Sequence, residues 1–252
     1  MTDQWKRRVE ADLAQAARIQ KDLLPKASPR LDGFDIGGSY VSCYEVGGDY
    51  YDFIPIDADR LGVAVADVAG KGIAAALHMA SLRAALLAEV RPGLEIGPLA
   101  ARLSEFVYKS SGPTGFITFF FAELDRRTGM MRYVNAGHNP PFVLGRDGRV
   151  LTLPSSGFAL GMFPEATYEA GETGLGPGDL AVLFTDGIPE SRDPEGMDYT
   201  VERLADFVGR RRDRTADEIC RAVLEDVHGH AGEGQPCDDM TIVVIKRDGA
   251  GA

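Results

Sequence analysis

The stretch "EVGGDYYDF", Glu45 to Phe53, decides how this chain is read. Strands disfavour paired glycines and aspartates. Yet Gly47-Gly48-Asp49 opens a segment with strand character, and Asp52 follows two tyrosines inside it. Two explanations stand open. The segment is either a loose hairpin, or a place where a charged ligand must come close to the backbone.

Outward from this stretch the chain alternates blocks of strand and helix. "FDIGGSYVSCY" precedes it, and "YYDFIPID" and "RLGVAVADV" follow, the last two joined by a hairpin-type connection at Asp57-Ala58-Asp59-Arg60. "KGIAAALHMASLRAALLAEVRP" and "EIGPLAARLSEFVYKSS" read as helices, the second with Leu99, Leu103, Phe106 and Val107 at helical spacing. After Gly112-Pro113 come "FITFFFAELD", "GMMRYVNAG", "PPFVLGRDGRVLTLP" and "LAVLFTDG", with turns at 125–129 and 146–148. Two late helices, "DYTVERLADFVGRRR" and "TADEICRAVLEDVHGHA", lead to a last strand, "DDMTIVVIKR"; Thr215 and Glu218 form a capping box. Strands, two helices, strands, two helices and a strand fit an α+β layered fold better than a βαβ array.

Ahead of all this, residues 3–24 read as a helix stopped by Pro25, with Val9, Leu13, Ala16, Ala17, Gln20, Leu23 and Leu24 near one stripe. Such a stripe packs on its own domain, or serves to dimerise or relay a signal. We therefore divide the chain into a linker or switch helix, 1–25, and a domain, 26–248.

At 252 residues and 44% hydrophobic content the chain can bury one substantial core. A net charge of −11 disfavours nucleic acid and anionic membranes as partners. Cys43, Cys220 and Cys237 are odd in number and widely spaced, which supports neither a disulfide framework nor a thiolate zinc site. No apolar run approaches the ~18 residues that span a bilayer, and the N-terminus lacks the apolar core of a signal peptide. The expectation is a soluble, cytoplasmic protein. It opens on Met with no sensor domain ahead, so its input is expected from a separate protein, unless the chain is a piece of a longer sensor-phosphatase.

Four junctions place aspartate where an apolar strand meets a turn: Asp49 in "GGDYYDF", Asp67 in "VAVADVAGKG", Asp186 in "AVLFTDGIPE", and Asp238-Asp239 in "CDDMTIVVI". Singly, each is an ordinary turn or cap. Together, if the four strand ends converge, they concentrate negative charge that hard divalent cations resolve through oxygen ligation.

With "AARIQKDLLP", "VADVAGKGIAAAL", "YVNAGHNPP", "LFTDGIPESRD" and "DDMTIVVI" in order around "GGDYYDF", the chain resembles the bacterial branch of the PPM/PP2C protein phosphatases, the stage II sporulation protein E / RsbU type. The resemblance runs from about Ala16 to Lys246. It implies a β-sandwich of two antiparallel sheets flanked by paired helices. It also implies two Mn²⁺ or Mg²⁺ ions and a metal-activated water that hydrolyses phosphoserine or phosphothreonine. Carried onto this chain, Asp49 and Asp67 share the metals, the Val68 carbonyl adds a ligand, and Asp186 and Asp238 hold one ion from the other side. Asp239 is a supporting residue or an alternative ligand, and Asp52 lies near the site. The implied substrate is a phosphorylated STAS-domain anti-anti-sigma protein in a partner-switching pathway. An upstream sensor or activator, or a second copy, is expected at the N-terminal helix. Two other readings stay open: a non-catalytic binding module, and a di-metal hydrolase of small phosphoesters.

Chemistry that the sequence does not carry narrows the field. No Cys-x5-Arg loop or G-x-S-x-G elbow supplies a protein nucleophile. The arginine that grips phosphate in eukaryotic relatives has no counterpart in "SYVSCYEVGGD". Lys71, beside Asp67, is the candidate substitute, though a solvated lysine at a helix start is the plainer reading. Gly47-Gly48, and Gly70 and Gly72, are expected to clear the way for Asp49 and Asp67. His138 is a structural loop histidine before it is a general acid. His228 and His230 read as a solvated helix end, His78 as packed, and Phe116, Phe119, Phe120 and Phe121 as core.

Overall fold

A computed structural model describes residues 3–112, 115–232 and 238–249. A helix, α1 (Asp3–Leu23), leads into β1 (Phe34–Val41), β2 (Tyr50–Pro55) and β3 (Arg60–Val68). Helices α2 (Gly72–Glu89) and α3 (Ile96–Ser110) follow, then β4 (Ile117–Asp125), β5 (Met130–Ala136), β6 (Phe142–Leu144), β7 (Val150–Thr152), β8 (Gly171–Gly174) and β9 (Leu180–Phe184). The chain closes with α4 (Val201–Gly209), α5 (Ala216–Ala231) and β10 (Met240–Arg247).

The strands form two five-stranded sheets, ordered β1-β10-β9-β6-β7 and β2-β3-β4-β5-β8, with every pairing antiparallel. Period-two alternation sorts their side chains into layers. On β10, Met240, Ile242 and Val244 pack outward against α4 and α5, while Val243 and Ile245 join the core shared with the other sheet. On β9, Leu180, Val182 and Phe184 face the helices, and Ala181 and Leu183 face inward. Helices α2 and α3 cover the second sheet through Ala75, Met79, Leu82, Leu86, Leu99 and Leu103. The architecture is helices, sheet, sheet, helices, as expected. Strands buried on both faces explain the continuous apolar runs of β4, β9 and β10. Phe119, Phe120 and Phe121 are fully buried, whereas Phe116 is exposed.

Helix α2 corrects one expectation. It is 18 residues long and, among the described residues, the one helix apolar enough by length and composition to cross a membrane. One face, Ala75, Met79, Leu82 and Leu86, is buried on the second sheet, while Ile73, Leu77 and Leu87 are exposed. Along α1 the predicted stripe is borne out: Val9, Leu13, Ala16 and Ala17 are half-buried and Gln20 is buried, while the remaining surface is solvated. Cys43 is half-buried and Cys220 buried; Cys237 lies outside the described residues.

Candidate metal and phosphate site

The antiparallel order brings five strand ends to one rim of the sandwich: the end of β1, the start of β2, the end of β3, the end of β9 and the start of β10. Asp49, just before β2, is 1% exposed. Its Oδ2 accepts hydrogen bonds from Thr185 Oγ1 at 2.7 Å and Thr241 Oγ1 at 2.6 Å. The inward alternation of β9 and β10 aims both threonines there, and the Thr185 amide donates to the Thr241 carbonyl at 3.1 Å. Both hydroxyls land on one oxygen, so the second oxygen of Asp49 stays open for another partner.

The aspartates act on one another. Burial pushes the Asp49 carboxyl well up, and the charge of Asp67 adds to it, against the two threonine hydrogen bonds. Asp67 is pushed up to about 7 by burial, then by Asp186, Asp238 and Asp239, with Lys71 opposing. Burial followed by Asp238 and Glu190 raises Asp186. Asp49, Asp67, Asp186 and Asp238 therefore share one electrostatic neighbourhood, as the four junctions predict. Among the described residues no three His, Cys, Asp or Glu side chains already stand as a metal cage. The donor set nevertheless suits a hard divalent cation. It consists of carboxylate oxygens whose mutual repulsion a cation relieves, with the Val68 carbonyl facing Gly48 beside them; a Cβ on Gly48 would sit 3.1 Å from that oxygen.

Asp239 has another task. Its Oδ1 accepts from the Cys43 amide at 2.7 Å, and its Oδ2 from the Gly48 amide at 2.6 Å and the Asp49 amide at 3.4 Å. Both oxygens accept hydrogen bonds from the 43–49 loop, so Asp239 holds the loop that carries Asp49 in position. Gly47 answers the opening question. A Cβ there would collide with Asp239 Oδ2 and the Tyr40 hydroxyl, so the paired glycines let the loop close down onto this carboxylate. Gly70 and Gly72 differ from expectation. Nothing lies near their missing Cβ atoms, and they are needed for left-handed backbone at φ +100° and +68°.

Asp52 is expected near the site and not as a ligand. It lies on the helix-facing side of β2, where it accepts from the Tyr50 hydroxyl at 2.8 Å and pairs with Arg83 of α2 at 3.3 Å. It ties helix to sheet and does not point into the rim. Lys71 stands at the rim, its Nζ 2.7 Å from Asp238 Oδ2. His138 is structural, as expected: buried, with Nδ1 2.8 Å from Thr118 Oγ1, its amide donating to Asn135 Oδ1, and burial pushing it down to about 4. His230 ties the end of α5 to Arg203 and the Met197 carbonyl, and His228 is exposed. His78 is half-buried on α2.

Three contributors escape the sequence reading. Thr185 and Thr241 carry a detectable signal, a hydroxyl at an inward position of an apolar strand. Gln20 carries none. Its Nε2 donates to the Gly47 carbonyl at 2.6 Å and its Oε1 accepts from the Gly47 amide at 3.0 Å, so α1 grips the Asp49 loop by its backbone.

This sandwich with a carboxylate rim is that of the PP2C-type metal-dependent serine/threonine phosphatases. The SiaA-PP2C domain of Pseudomonas aeruginosa superposes with a TM-score of 0.84 at 22% identity, covering 96% of this chain and 98% of that one. The RsbU and RsbW domains of Rv1364c from Mycobacterium tuberculosis give 0.78 at 26% identity, covering 91% and 64%. The chain belongs to the Stage II sporulation protein E (SpoIIE) family, whose profile matches residues 57–248. In sequence it is 29% identical over 242 residues to the phosphoserine phosphatase RsbU of Bacillus subtilis, covering 95% of this chain and 71% of RsbU. It is 27% identical to RsbP of the same organism, covering 81% of this chain and half of RsbP's length. Among more distant folds with the same architecture, PstP was solved with 2 manganese ions and RsbX with magnesium.

Proposed function

We propose that this domain hydrolyses phosphoserine or phosphothreonine on a small STAS-type anti-anti-sigma protein within a partner-switching pathway. The observation that carries this reading is the shared rim of Asp49, Asp67, Asp186 and Asp238, each raised by or raising another. The substrate class follows the relatives, RsbU and RsbP, which are phosphoserine phosphatases.

Asp49 and Asp67, with the Val68 carbonyl, would hold two Mn²⁺ or Mg²⁺ ions between them, and Asp186 and Asp238 would complete one ion from the far side. Bound there, the ions supply an activated water and neutralise phosphoryl oxygens. The rest is done by the chain. Thr185 and Thr241 fix the Asp49 carboxylate on one rotamer. Asp239 fixes the loop that carries it. Asp49 is buried while Asp67, Asp186 and Asp238 are half-buried, so the rim stays open to substrate from the solvent side.

Regulation falls to residues 1–25, with 26–248 as the phosphatase domain. Helix α1 reaches the site through Gln20 and Gly47. A change in α1 packing, by a second copy or an upstream activator, would therefore be felt at Asp49. Phosphate release from a phosphoserine STAS-type protein, with Mn²⁺, Mg²⁺ or chelator, tests the function. Release should require metal and vanish in Asp186→Asn. A folded, metal-loaded wild type that releases none on that protein or on p-nitrophenyl phosphate would leave a binding module.

A further inference from the structure

Lys71 is an odd residue to find at the start of α2. It is the N-cap, with φ −139° and ψ 165°, and its side chain makes no capping hydrogen bond. Helix starts favour Ser, Thr, Asp or Asn at this position, and the N-terminal dipole disfavours a positive charge. Lys71 instead places its ammonium 2.7 Å from Asp238 Oδ2, with the two side chains 40% and 41% exposed. The other oxygen of Asp238 accepts from the Asp239 amide at 2.9 Å. The oxygen that Asp238 has left for a cation is thus the one Lys71 holds. The same ammonium opposes the charges of Asp67 and Asp186.

We propose that Lys71 is a built-in counter-ion that competes with a divalent cation for Asp238 and so lowers the metal affinity of the rim. This rests on the metal-site reading above. An ammonium and a hard divalent ion seek the same carboxylate oxygen and repel each other, so loading at Asp238 requires Lys71 to let go. The lysine keeps the acidic rim tolerable to the fold while its release accompanies metal uptake.

Calorimetric titration of MnCl₂ into the full chain tests this on wild type, Lys71→Met, Lys71→Arg and, as a control at the opposite end of β10, Lys246→Met. For a half-exposed pair the expected gain in Mn²⁺ affinity on Lys71→Met is about five- to tenfold. Lys71→Arg, which keeps a cation for Asp238, and Lys246→Met should stay within about twofold of wild type. Without metal, Lys71→Met should also melt lower than wild type. An unchanged or weaker affinity in Lys71→Met overturns the proposal. So does an equal gain in Lys71→Arg or in Lys246→Met, which would make the effect one of cation shape or of net charge. Wild type that takes up no Mn²⁺ overturns the metal-site reading as well. Uptake with Lys71→Met indistinguishable from wild type overturns the counter-ion alone.

Discussion

The two ends of the sandwich treat negative charge in opposite ways. At the far end, the β2–β3 and β4–β5 hairpins pair carboxylates with arginine: Arg60 with Asp57 at 2.6 Å and Glu123 at 3.5 Å, Arg126 with Asp59 at 2.8 Å and Asp32 at 3.1 Å. At the rim, Asp49 has hydroxyls, Asp239 has amides, and Lys71 is the cation that opposes the charges of Asp67 and Asp186. Buried carboxylates without a matched cation cost stability. A chain that supplies arginine at one end and withholds it at the other keeps the second end open for a charge from outside.

The sharpest way to break this contrast is Asp186→Asn. If the rim exists to hold metal, phosphate release should fall by about a thousandfold or more. The same substitution should raise the melting temperature of the metal-free domain, because it removes a charge that raises Asp67. Lost activity with a lowered metal-free melting temperature would mean Asp186 is structural.

A pH series of the metal-free domain sharpens it further. Asp67 is raised to about 7 when folded, so the folded state holds its proton longer than the unfolded chain does. Stability from this group is full below about 4 and is lost as pH rises through 7, by at most about 4 kcal/mol. His138, lowered to about 4, works the other way: its contribution is full above about 6.5 and is lost as pH falls toward 4, by up to about 3 kcal/mol. The two oppose each other in wild type. Denaturant melts of Asp67→Asn should fall less steeply as pH rises toward 7, since only Asp49 and Asp186 still hold raised carboxyls, and those of His138→Gln should lose the rise between about 4 and 6.5. Parallel profiles in all three proteins would refute both assignments.

Much of this was legible in the sequence, and the losses have physical causes. The layered fold follows from the order of apolar strand and helix blocks, and the rim from the aspartates at the ends of β3, β9 and β10. Strand β8, "GETG", has no strand propensity of its own; it exists because β5 offers an edge from Tyr133 to Met130. Asp52 stands three positions after Asp49, and only the pleat of β2 decides which sheet face it takes. Asp239 adjoins Asp238 in sequence, but the loop it holds comes from residues nearly 200 positions away, so its hydrogen bonds could not be read from its neighbours. Gln20 was visible only as one member of a helical stripe, since its partner is a backbone carbonyl and amide.

Gln20 gives a middle-sized effect. Gln20→Ala removes both hydrogen bonds to Gly47 and leaves two buried backbone groups unpaired, a loss of about 1–3 kcal/mol. Because the loop carries Asp49, that loss should appear as Mn²⁺ affinity weakened about tenfold, with the melting temperature of the metal-free domain shifted less than that of the loaded one. Calorimetry on wild type and variant checks it. Weaker affinity shows that α1 reaches the rim. A change in melting temperature with unaltered affinity would make Gln20 a packing residue, and the route from α1 to the site would have to run through α2.

The smallest effect belongs to the far end and completes the contrast. Asp57 pairs with Arg60 at the surface of the β2–β3 hairpin, where water and salt screen the pair. Its carboxylate also caps the turn, accepting from the Asp59 and Arg60 amides at 3.0 and 2.9 Å. Asp57→Asn keeps a side-chain oxygen for those amides and removes only the charge. It should leave phosphate release and Mn²⁺ affinity unchanged, and lower the melting temperature slightly. The sign is what matters. Removing a carboxylate lowers stability where the chain provides an arginine, and raises it where the chain provides none. If Asp57→Asn and Asp186→Asn shifted the metal-free melting temperature in the same direction, the two ends would not differ in kind. The rim would then be one more ion-pair network, with no charge left over for a metal to answer.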